Sequence, residues 1–319
     1  MLTSLLTELR CYLNSEPGRV AEEASSIYGW LSAKGSAQFF FDEREYFMGE
    51  AALLTGSSKR LLGQLQDAEG WLDRADANFR HTVSPAAHLA RVAYTRLAIR
   101  HDMNRHDDVL ELLPSAALTF ERLGMGPDLA KCTFLRAMSL RMVGRDEEAA
   151  ECLESLRADA SLELDLRGRA SLNLGNLHSA RGDFKKAVEF YRDAQACLQG
   201  QAPTSARADL KMLFGETLRS MGRLAEAIAA YREAIEDLVT LGMATRVAYF
   251  RIALAEALLD ADMAREAEWE ILAALPTIDD QHMVPEGLAA VALLRESVRQ
   301  RRTDPSALGT IRQYLQSAS

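Results

Sequence analysis

An internal repeat constrains the fold of this 319-residue chain more than any other feature. Three segments align at equal spacing without gaps: LGNLHSARGDFKKAVEFYRDA from Leu174, FGETLRSMGRLAEAIAAYREA from Phe214 and LAEALLDADMAREAEWEILAA from Leu254. Self-similarity at a fixed period of about 40 residues is typical of an array of helical or strand-based units. The positions in register hold small, aromatic or aliphatic residues: Gly175, Gly215 and Ala255; Ala187, Ala227 and Ala267; Tyr191, Tyr231 and Ile271; Ala194, Ala234 and Ala274.

Each repeat has the pattern of two helices joined by a tight turn. A small residue in the first helix and an alanine at the start of the second allow the two helices to approach closely. Tyr191 and Tyr231 follow those alanines by four residues, so they lie on the same helix face and fill the space between layers. Gly182 and Gly222 stand where the chain must turn, a position that favours positive φ. One pair cannot bury its own apolar face, so neighbouring pairs must stack to form a core.

The residues in register resemble the tetratricopeptide repeat, in which a Leu-Gly pair precedes an alanine and an aromatic residue of the second helix. The resemblance is strongest at Leu174-Gly175 and at Phe214-Gly215. The spacing of about 38 to 42 residues exceeds the roughly 34 usual for the family, and the tryptophan and terminal proline of the pattern are absent. Bacterial regulatory proteins often carry such stretched repeats. The resemblance implies an all-α fold, a right-handed α-solenoid superhelix of about six helix-turn-helix repeats with helical caps.

Three more divergent units are predicted upstream of these repeats. The whole chain then forms one solenoid domain, with N-terminal capping helices at residues 1–35, repeats at 36–280 and C-terminal capping helices at 281–319. In the unit at residues 85–123, Leu110 and Pro114 replace the expected alanine and aromatic residue. The residues that fit the pattern are Ala137, Gly144, Ala149 and Leu153 at 128–156, Ala98 and Ala117 at 85–123, and Ala68, Leu72 and Ala75 after a first helix near 36–55.

The net charge and the cysteines limit the partners and the compartment. A formal charge of -9 and a pI near 5.3 argue against nucleic-acid or acidic-membrane binding driven by net charge. Residues 1–13 lack the features of a secretory signal, and no run of about 18 apolar residues occurs. The absence of paired cysteine spacings favours a reduced, cytoplasmic location, the four cysteines being Cys11, Cys132, Cys152 and Cys197.

The sequence contains no recognisable catalytic or metal-binding motif, so neither an enzyme nor a cofactor is expected. His101 and His106 are five residues apart, off the spacing that brings two imidazoles to one helix face. His178 occupies a position that the family fills with an aromatic residue, and a packed or solvated histidine is predicted there. Cys132 is next to Lys131, which only faintly suggests a redox-sensing thiol, and a buried cysteine is favoured.

Tetratricopeptide arrays usually bind partners on a concave face lined by their first helices, and the resemblance indicates which side chains line that face here. The predicted groove has an apolar row, a basic centre and an acidic C-terminal half. Asn176 matches one residue of the family's clamp for chaperone tails, but Leu172 and Leu213 stand where Lys and Asn are needed, which disfavours that role. The predicted partner-binding residues are Phe134, Met138, Arg141, Arg169, Leu172, Asn176, Met212, Glu216 and Arg219.

These features predict a non-enzymatic regulatory module that binds a protein or peptide segment, with a protease, a transcription factor or a defence effector as candidate partners. The alternative is a sensor that binds a small molecule or a signalling peptide and changes superhelical pitch. A solvated face is the competing interpretation for each polar groove residue, and a packed position for the apolar row. The aromatic cluster Phe39–Phe41 and the basic run Arg295–Arg302 are further candidate contact surfaces. The sequence does not specify the oligomeric state.

Overall fold

Every regular element in the described part of the chain is an α-helix. The computed structural model describes residues 2–33, 41–198 and 204–280, together with positions 309 and 313. The prediction of an all-α fold is confirmed. Fourteen helices occur in these ranges: α1 (Leu2–Tyr12), α2 (Pro17–Ser32), α3 (Phe41–Leu61), α4 (Leu65–Phe79), α5 (Pro85–Asp102), α6 (His106–Arg122), α7 (Gly126–Met142), α8 (Asp146–Ala158), α9 (Leu164–Ala180), α10 (Phe184–Leu198), α11 (Ser205–Ser220), α12 (Leu224–Thr240), α13 (Ala244–Asp260) and α14 (Ala264–Asp280).

From α3 onward the described helices form six consecutive pairs, each with an odd-numbered first helix and an even-numbered second helix. Each turn within a pair contains one residue with positive φ. The N–H of the next residue donates to the carbonyl five residues earlier at 2.8–2.9 Å, which is the long bond of a Schellman motif. The prediction of about six repeats is therefore confirmed. The positive-φ residues of the six turns are Gly63, Asn104, Gly144, Gly182, Gly222 and Asp262.

The chain divides into two compact units, Met1–Leu156 and Arg157–Ser319, called here the N-terminal and C-terminal units. The N-terminal unit contains α1 to α7 and most of α8, and the C-terminal unit contains α9 to α14. The organisation of the whole chain as one continuous solenoid domain stays a prediction. The predicted C-terminal cap, residues 281–319, lies outside the described residues except at positions 309 and 313.

Close packing within a pair depends on a glycine that faces a large side chain of the second helix. A Cβ atom at Gly175 would lie 2.5 Å from the Tyr191 ring, and one at Gly215 would lie 2.8 Å from the Tyr231 ring. Both rings are almost fully buried, as the sequence predicts. The alanines in register are buried with them: Ala187, Ala194, Ala227, Ala234, Ala267 and Ala274.

The pair α5–α6 corrects the predicted register by one residue. Asn104 occupies the place in its turn that Gly144 has in the next turn. Counted from Asn104, the core positions of α6 lie one residue before Leu110 and Pro114, the residues that the sequence predicted for them. Pro114 is therefore exposed, Leu110 is only half-buried and neither replaces the expected core residues. An exposed face is where an internal helix proline costs least packing, although its missing N–H still removes a backbone bond. The buried stripe of α6 is Val109, Leu113, Ala116 and Phe120.

A buried ion cluster joins α1, α3 and α5 in the N-terminal unit. Glu50 is 1% exposed, and its Oε1 accepts a hydrogen bond from Arg91 Nη1 at 2.6 Å. Its Oε2 accepts from Arg10 Nη2, and His88 Nδ1 lies 3.5 Å from Oε1. Burial alone would raise the pKa of Glu50, but His88, Arg91 and Arg10 outweigh burial and lower it to about 2. A charged carboxylate thus stands at the junction of three helices.

The two N-terminal helices pack on each other, with Leu6 and Leu9 of α1 buried in one cluster with Val20 and Ala24 of α2. Phe39, Phe40 and the side chain of Phe41 lie outside the described residues, as does the basic run 295–302. Among the described residues, no helix combines the length and apolar character that crossing a membrane requires.

Candidate functional site

In the N-terminal unit, three predicted groove residues lie together on α7. Phe134, Met138 and Arg141 follow one another at intervals of four and three residues, so they occupy one helix face. All three side chains are half-buried. This face of α7 therefore carries partly exposed apolar and basic side chains.

In the C-terminal unit, Arg169, Leu172 and Asn176 lie on the first helix α9. Arg169 is exposed, whereas Leu172 packs against the buried cluster around Tyr191. The Tyr191 hydroxyl donates to Asn176 Oδ1 at 2.8 Å. The side-chain amide of Asn176 is thus held by a tyrosine of its own repeat through its oxygen, whereas a carboxylate ligand would require its N–H donors.

Met212 is buried, which corrects its predicted place in the accessible groove. Its side chain is 5% exposed and belongs to a core cluster that contains Ala248 and Ile252 of α13. The packing within this cluster covers the Met212 side chain. For Met212, the packed alternative is therefore the correct one.

Glu216 and Arg219 are brought together at an open cavity of about 510 Å³ near the end of α11. Ser220, Tyr231 and Asp260 complete the lining. Arg219 Nε donates to Asp260 Oδ2 at 2.5 Å. We call this site the Tyr231 cavity.

The buried ring of Tyr231 contributes to the Tyr231 cavity and lies against α11 at Gly215. Tyr231 reaches this place because Gly215 has no Cβ to block the ring. The ring is fully buried, and the hydroxyl has no hydrogen-bond partner among the described residues. In the preceding repeat, Tyr191 donates to Asn176, and the position equivalent to Asn176 in this repeat is Glu216. The sequence signal for this site was therefore present as an Asn-to-Glu change between aligned repeats.

Electrostatic interactions around the cavity centre on Arg219. Its Nη1 donates to Glu256 Oε2 at 2.6 Å. Burial opposes the charge of Arg219, but its bonds to Asp260 and Glu256 raise its pKa overall. Burial also raises the pKa of Glu256, and the contact with Arg219 only partly offsets it. Burial raises the pKa of the Tyr231 hydroxyl, so the phenol stays protonated near neutral pH.

A second cavity, of about 650 Å³, lies outside the predicted groove because second helices contribute to its lining. Beside it, Asp237 of α12 accepts from Arg207 Nε at 3.0 Å and lies 3.0 Å from Lys211 Nζ. Burial would raise the pKa of Asp237, but these two cations lower it. The lining comes from α10, α11 and α12: Gln195, Ala196, Leu198, Arg207, Lys211, Phe214, Glu226, Ala229, Ala230 and Glu233.

His101 and His106 are in contact, contrary to the expectation from their spacing. α5 ends at Asp102 and α6 begins at His106, so the turn at Asn104 brings the two Nδ1 atoms to 3.2 Å. His101 Nδ1 also lies 3.0 Å from Ser139 Oγ of α7. The spacing rule failed because it assumes that both histidines lie on one continuous helix.

This histidine contact predicts a loss of stability at mildly acidic pH. Burial first, and His106 second, lower the pKa of His101, while Asp102 raises it and Arg60 lowers it. The neutral form of His101 therefore contributes full stability above its unfolded pKa of about 6.5, and this is lost as the pH falls through the folded value. Urea unfolding at pH 7.5 and 5.5 should show a larger loss for the wild type than for His101→Gln.

The matched control for that experiment is His81→Gln, because His81 is exposed in the turn that follows α4. Its pH dependence should follow the wild type. An equal pH dependence of wild type and His101→Gln would contradict the assignment.

Cys132 is buried, as the favoured interpretation predicts, and burial raises the pKa of its thiol to about 12. Lys131 donates to Asp128 at 3.1 Å. A redox-sensing role is disfavoured because the reactive thiolate is scarce at neutral pH. His178 is packed, stacking on Phe190 with ring centroids 5.2 Å apart.

The family comparison agrees with the repeat interpretation of the C-terminal unit. The tetratricopeptide repeat model matches residues 168–196 and 208–236, which include the pairs Gly175–Tyr191 and Gly215–Tyr231. No curated protein matches the chain.

Solved structures share the fold at low sequence identity. BtubC from P. vanneervenii is 16% identical with a TM-score of 0.55, over 72% of this chain and 93% of that one. The Rap conjugation gene regulator of plasmid pLS20, in complex with the Phr peptide, is 14% identical with a TM-score of 0.57, over 86% and 75%. Aspartyl phosphate phosphatase F from Bacillus subtilis is 13% identical with a TM-score of 0.59, over 86% and 70%. Residues 168–196 and 208–236 are thus similar to tetratricopeptide repeats, and the chain shares its helical fold with these solved structures.

Proposed function

We propose that this chain is a non-enzymatic regulatory module that binds a protein or peptide segment on the first-helix faces of its repeats. The partner then supplies the chemistry, as a protease, a transcription factor or a defence effector would. Four free cysteines support a cytoplasmic location, because a reducing compartment keeps thiols unpaired.

The observation that carries this proposal is the Tyr231 cavity on first helix α11, within a repeat that the family model matches. Polar side chains around an open cavity offer a peptide fixed hydrogen-bonding groups, which extended-peptide recognition requires. The structure of the Rap regulator in complex with a peptide gives further support, since its helical fold is similar.

Affinity capture from the native organism tests the proposal. The tagged wild-type chain is compared with Arg169→Glu/Glu216→Lys, which reverses two first-helix charges without altering net charge. A partner identified by mass spectrometry should be retained by the wild type and reduced about tenfold by the variant, as expected when a charge-assisted contact is lost. The purified partner should reproduce this difference in dissociation constant.

The matched control is Lys185→Glu/Glu189→Lys, another charge-neutral exchange, on the exposed face of second helix α10. It should retain the partner. Loss of the partner from this control together with full retention by the first variant would contradict the first-helix assignment and favour the cavity between α10 and α12.

A second candidate function is a signalling-peptide sensor, which the peptide complex of the Rap regulator favours. Binding to the native state raises its stability by mass action, by about 2.7 kcal/mol at a ligand concentration of 100 Kd. A thermal-shift screen against secreted peptides of the same organism would reveal such a ligand. A specific rise in Tm with one peptide, together with no protein captured in the affinity experiment, would favour the sensor over the protein-binding module.

A further inference from the structure

The unpartnered hydroxyl of Tyr231 is the strongest unexplained polar group in the C-terminal unit. Its oxygen is buried, and the Tyr231 residue lines a cavity that is open to solvent. A buried hydroxyl without a partner costs free energy, so such groups in native structures are uncommon and often mark a binding site.

The packing of the Tyr231 ring does not by itself leave the hydroxyl without a partner. Tyr191 occupies the equivalent place in the preceding repeat, packs against Gly175 in the same way, and donates to Asn176 at 2.8 Å. In the repeat of Tyr231, Glu216 replaces that asparagine. The exchange removes an internal amide partner and adds a negative charge at the cavity.

The charges around the cavity select the sign of a ligand. Among the described side chains there, three carboxylates, those of Glu216, Glu256 and Asp260, surround one guanidinium, that of Arg219. An anion would be repelled, and an apolar group would leave the hydroxyl without a partner. A cationic group with several N–H donors matches both features.

We propose that the Tyr231 cavity binds the cationic end of an arginine or lysine side chain from a bound peptide, with the Tyr231 oxygen accepting one of its hydrogen bonds. This inference rests on the proposed function, because it names the chemistry of the partner at one first-helix site. The carboxylates of Glu216 and Asp260 accept further N–H donors of the cation.

Fluorescence anisotropy with the full chain tests the proposal. The probe is a fluorescein-labelled alanine pentapeptide with a central arginine, and its citrulline analogue supplies a neutral side chain of nearly the same shape. The arginine peptide should bind the wild type. Tyr231→Phe and Asp260→Asn should each raise its dissociation constant by about tenfold, because the loss of one hydrogen bond to a charged group reduces affinity by about that factor. Tyr191→Phe is the matched control and should bind within about twofold of the wild type.

Thermal unfolding of the same variants tests the premise. Tyr231→Phe should keep or raise the wild-type Tm, because it removes a buried hydroxyl that has no described partner, whereas Tyr191→Phe should lower the Tm because Asn176 loses its donor. An equal drop in both variants would overturn the premise that the Tyr231 hydroxyl has no partner.

Three binding results would overturn the proposal itself: no binding of the arginine peptide, equal binding of the citrulline peptide, or equal binding by Tyr231→Phe. Displacement by free arginine as effective as that by unlabelled peptide would overturn the assignment to a peptide side chain. The capture experiment distinguishes failure of this inference from failure of the proposed function. A partner held equally by the wild type and Tyr231→Phe leaves the proposed function in place and removes only this inference.

Discussion

Replacing Glu50 by alanine is expected to lower the free energy of unfolding of the N-terminal unit by about 3 kcal/mol, because removing one partner of a buried ion pair leaves the others unpaired. Arg91 and His88 would lose their carboxylate while their side chains are only 20% and 22% exposed. Arg10 is 46% exposed and can recover hydration, which keeps the loss near the lower end of the range for such changes.

Urea unfolding followed by tryptophan fluorescence and by circular dichroism measures this loss, since Trp71 lies on α4 of the same unit. The control is Glu43→Ala, an exposed glutamate of the same helix, which should change stability by less than about 0.5 kcal/mol. Equal effects of the two substitutions would show that the Glu50 cluster contributes nothing beyond surface charge.

The same carboxylate gives the N-terminal unit a pH dependence at acidic pH. The pKa of Glu50 is lowered from 4.5 to about 2. Each pKa unit corresponds to about 1.4 kcal/mol, so this contribution amounts to about 3 kcal/mol. It is fully present above pH 4.5 and is lost as the pH falls towards 2. Glu50→Gln should therefore flatten the decrease in stability of this unit below pH 4.5.

Replacing Gly175 by alanine is expected to destabilise the C-terminal unit by about 1–2 kcal/mol, since crowding in the core outweighs a gain in helix propensity. The new Cβ would lie 2.5 Å from the Tyr191 ring, which is buried and bound to Asn176, so either the ring or the helix must shift. Overpacking of this kind costs about 1–3 kcal/mol, and the better helix propensity of alanine offsets up to about 1 kcal/mol of it.

The control substitution has the opposite expected sign. Gly70 lies on α4, is exposed and has no atom within 4 Å of the place that a Cβ would take, so Gly70→Ala should stabilise its unit by about 0.5–1 kcal/mol. For Gly175→Ala, the fluorescence of Trp269 on α14 reports unfolding of the C-terminal unit. For Gly70→Ala, the fluorescence of Trp71 on α4 reports unfolding of the N-terminal unit. A stabilising effect of Gly175→Ala would contradict the close approach of α9 and α10.

The helical fold and the number of repeats could be predicted because they depend on short-range patterns. Gly182 and Gly222 identify turns by residue type, and the alanines in register identify the faces that pack. The equivalent turns at Asn104 and Asp262 carry no glycine, although asparagine and aspartate tolerate positive φ better than most residues. These turns are recognisable only after their spacing from the glycine turns is known.

The candidate site could be predicted only in part, because accessibility depends on the distance between neighbouring helices. Glu216 and Arg219 both line the Tyr231 cavity, whereas Met212, one turn away on the same helix, is buried in a core cluster. The contact between His101 and His106 depends on the exact residue at which α5 ends. Side-chain partners that come from different repeats follow from these details and not from local sequence.

The even spacing of the six turns has a consequence for how such a chain can change in length. The positive-φ residues recur at nearly equal intervals from Gly63 to Asp262, and within each unit the helices contact mainly their immediate neighbours. An insertion of a few residues in a helix would rotate every following side chain away from its partner. Gain or loss of one complete helix pair preserves each remaining contact between neighbours, so gene duplication and recombination can lengthen or shorten the array in steps of one repeat.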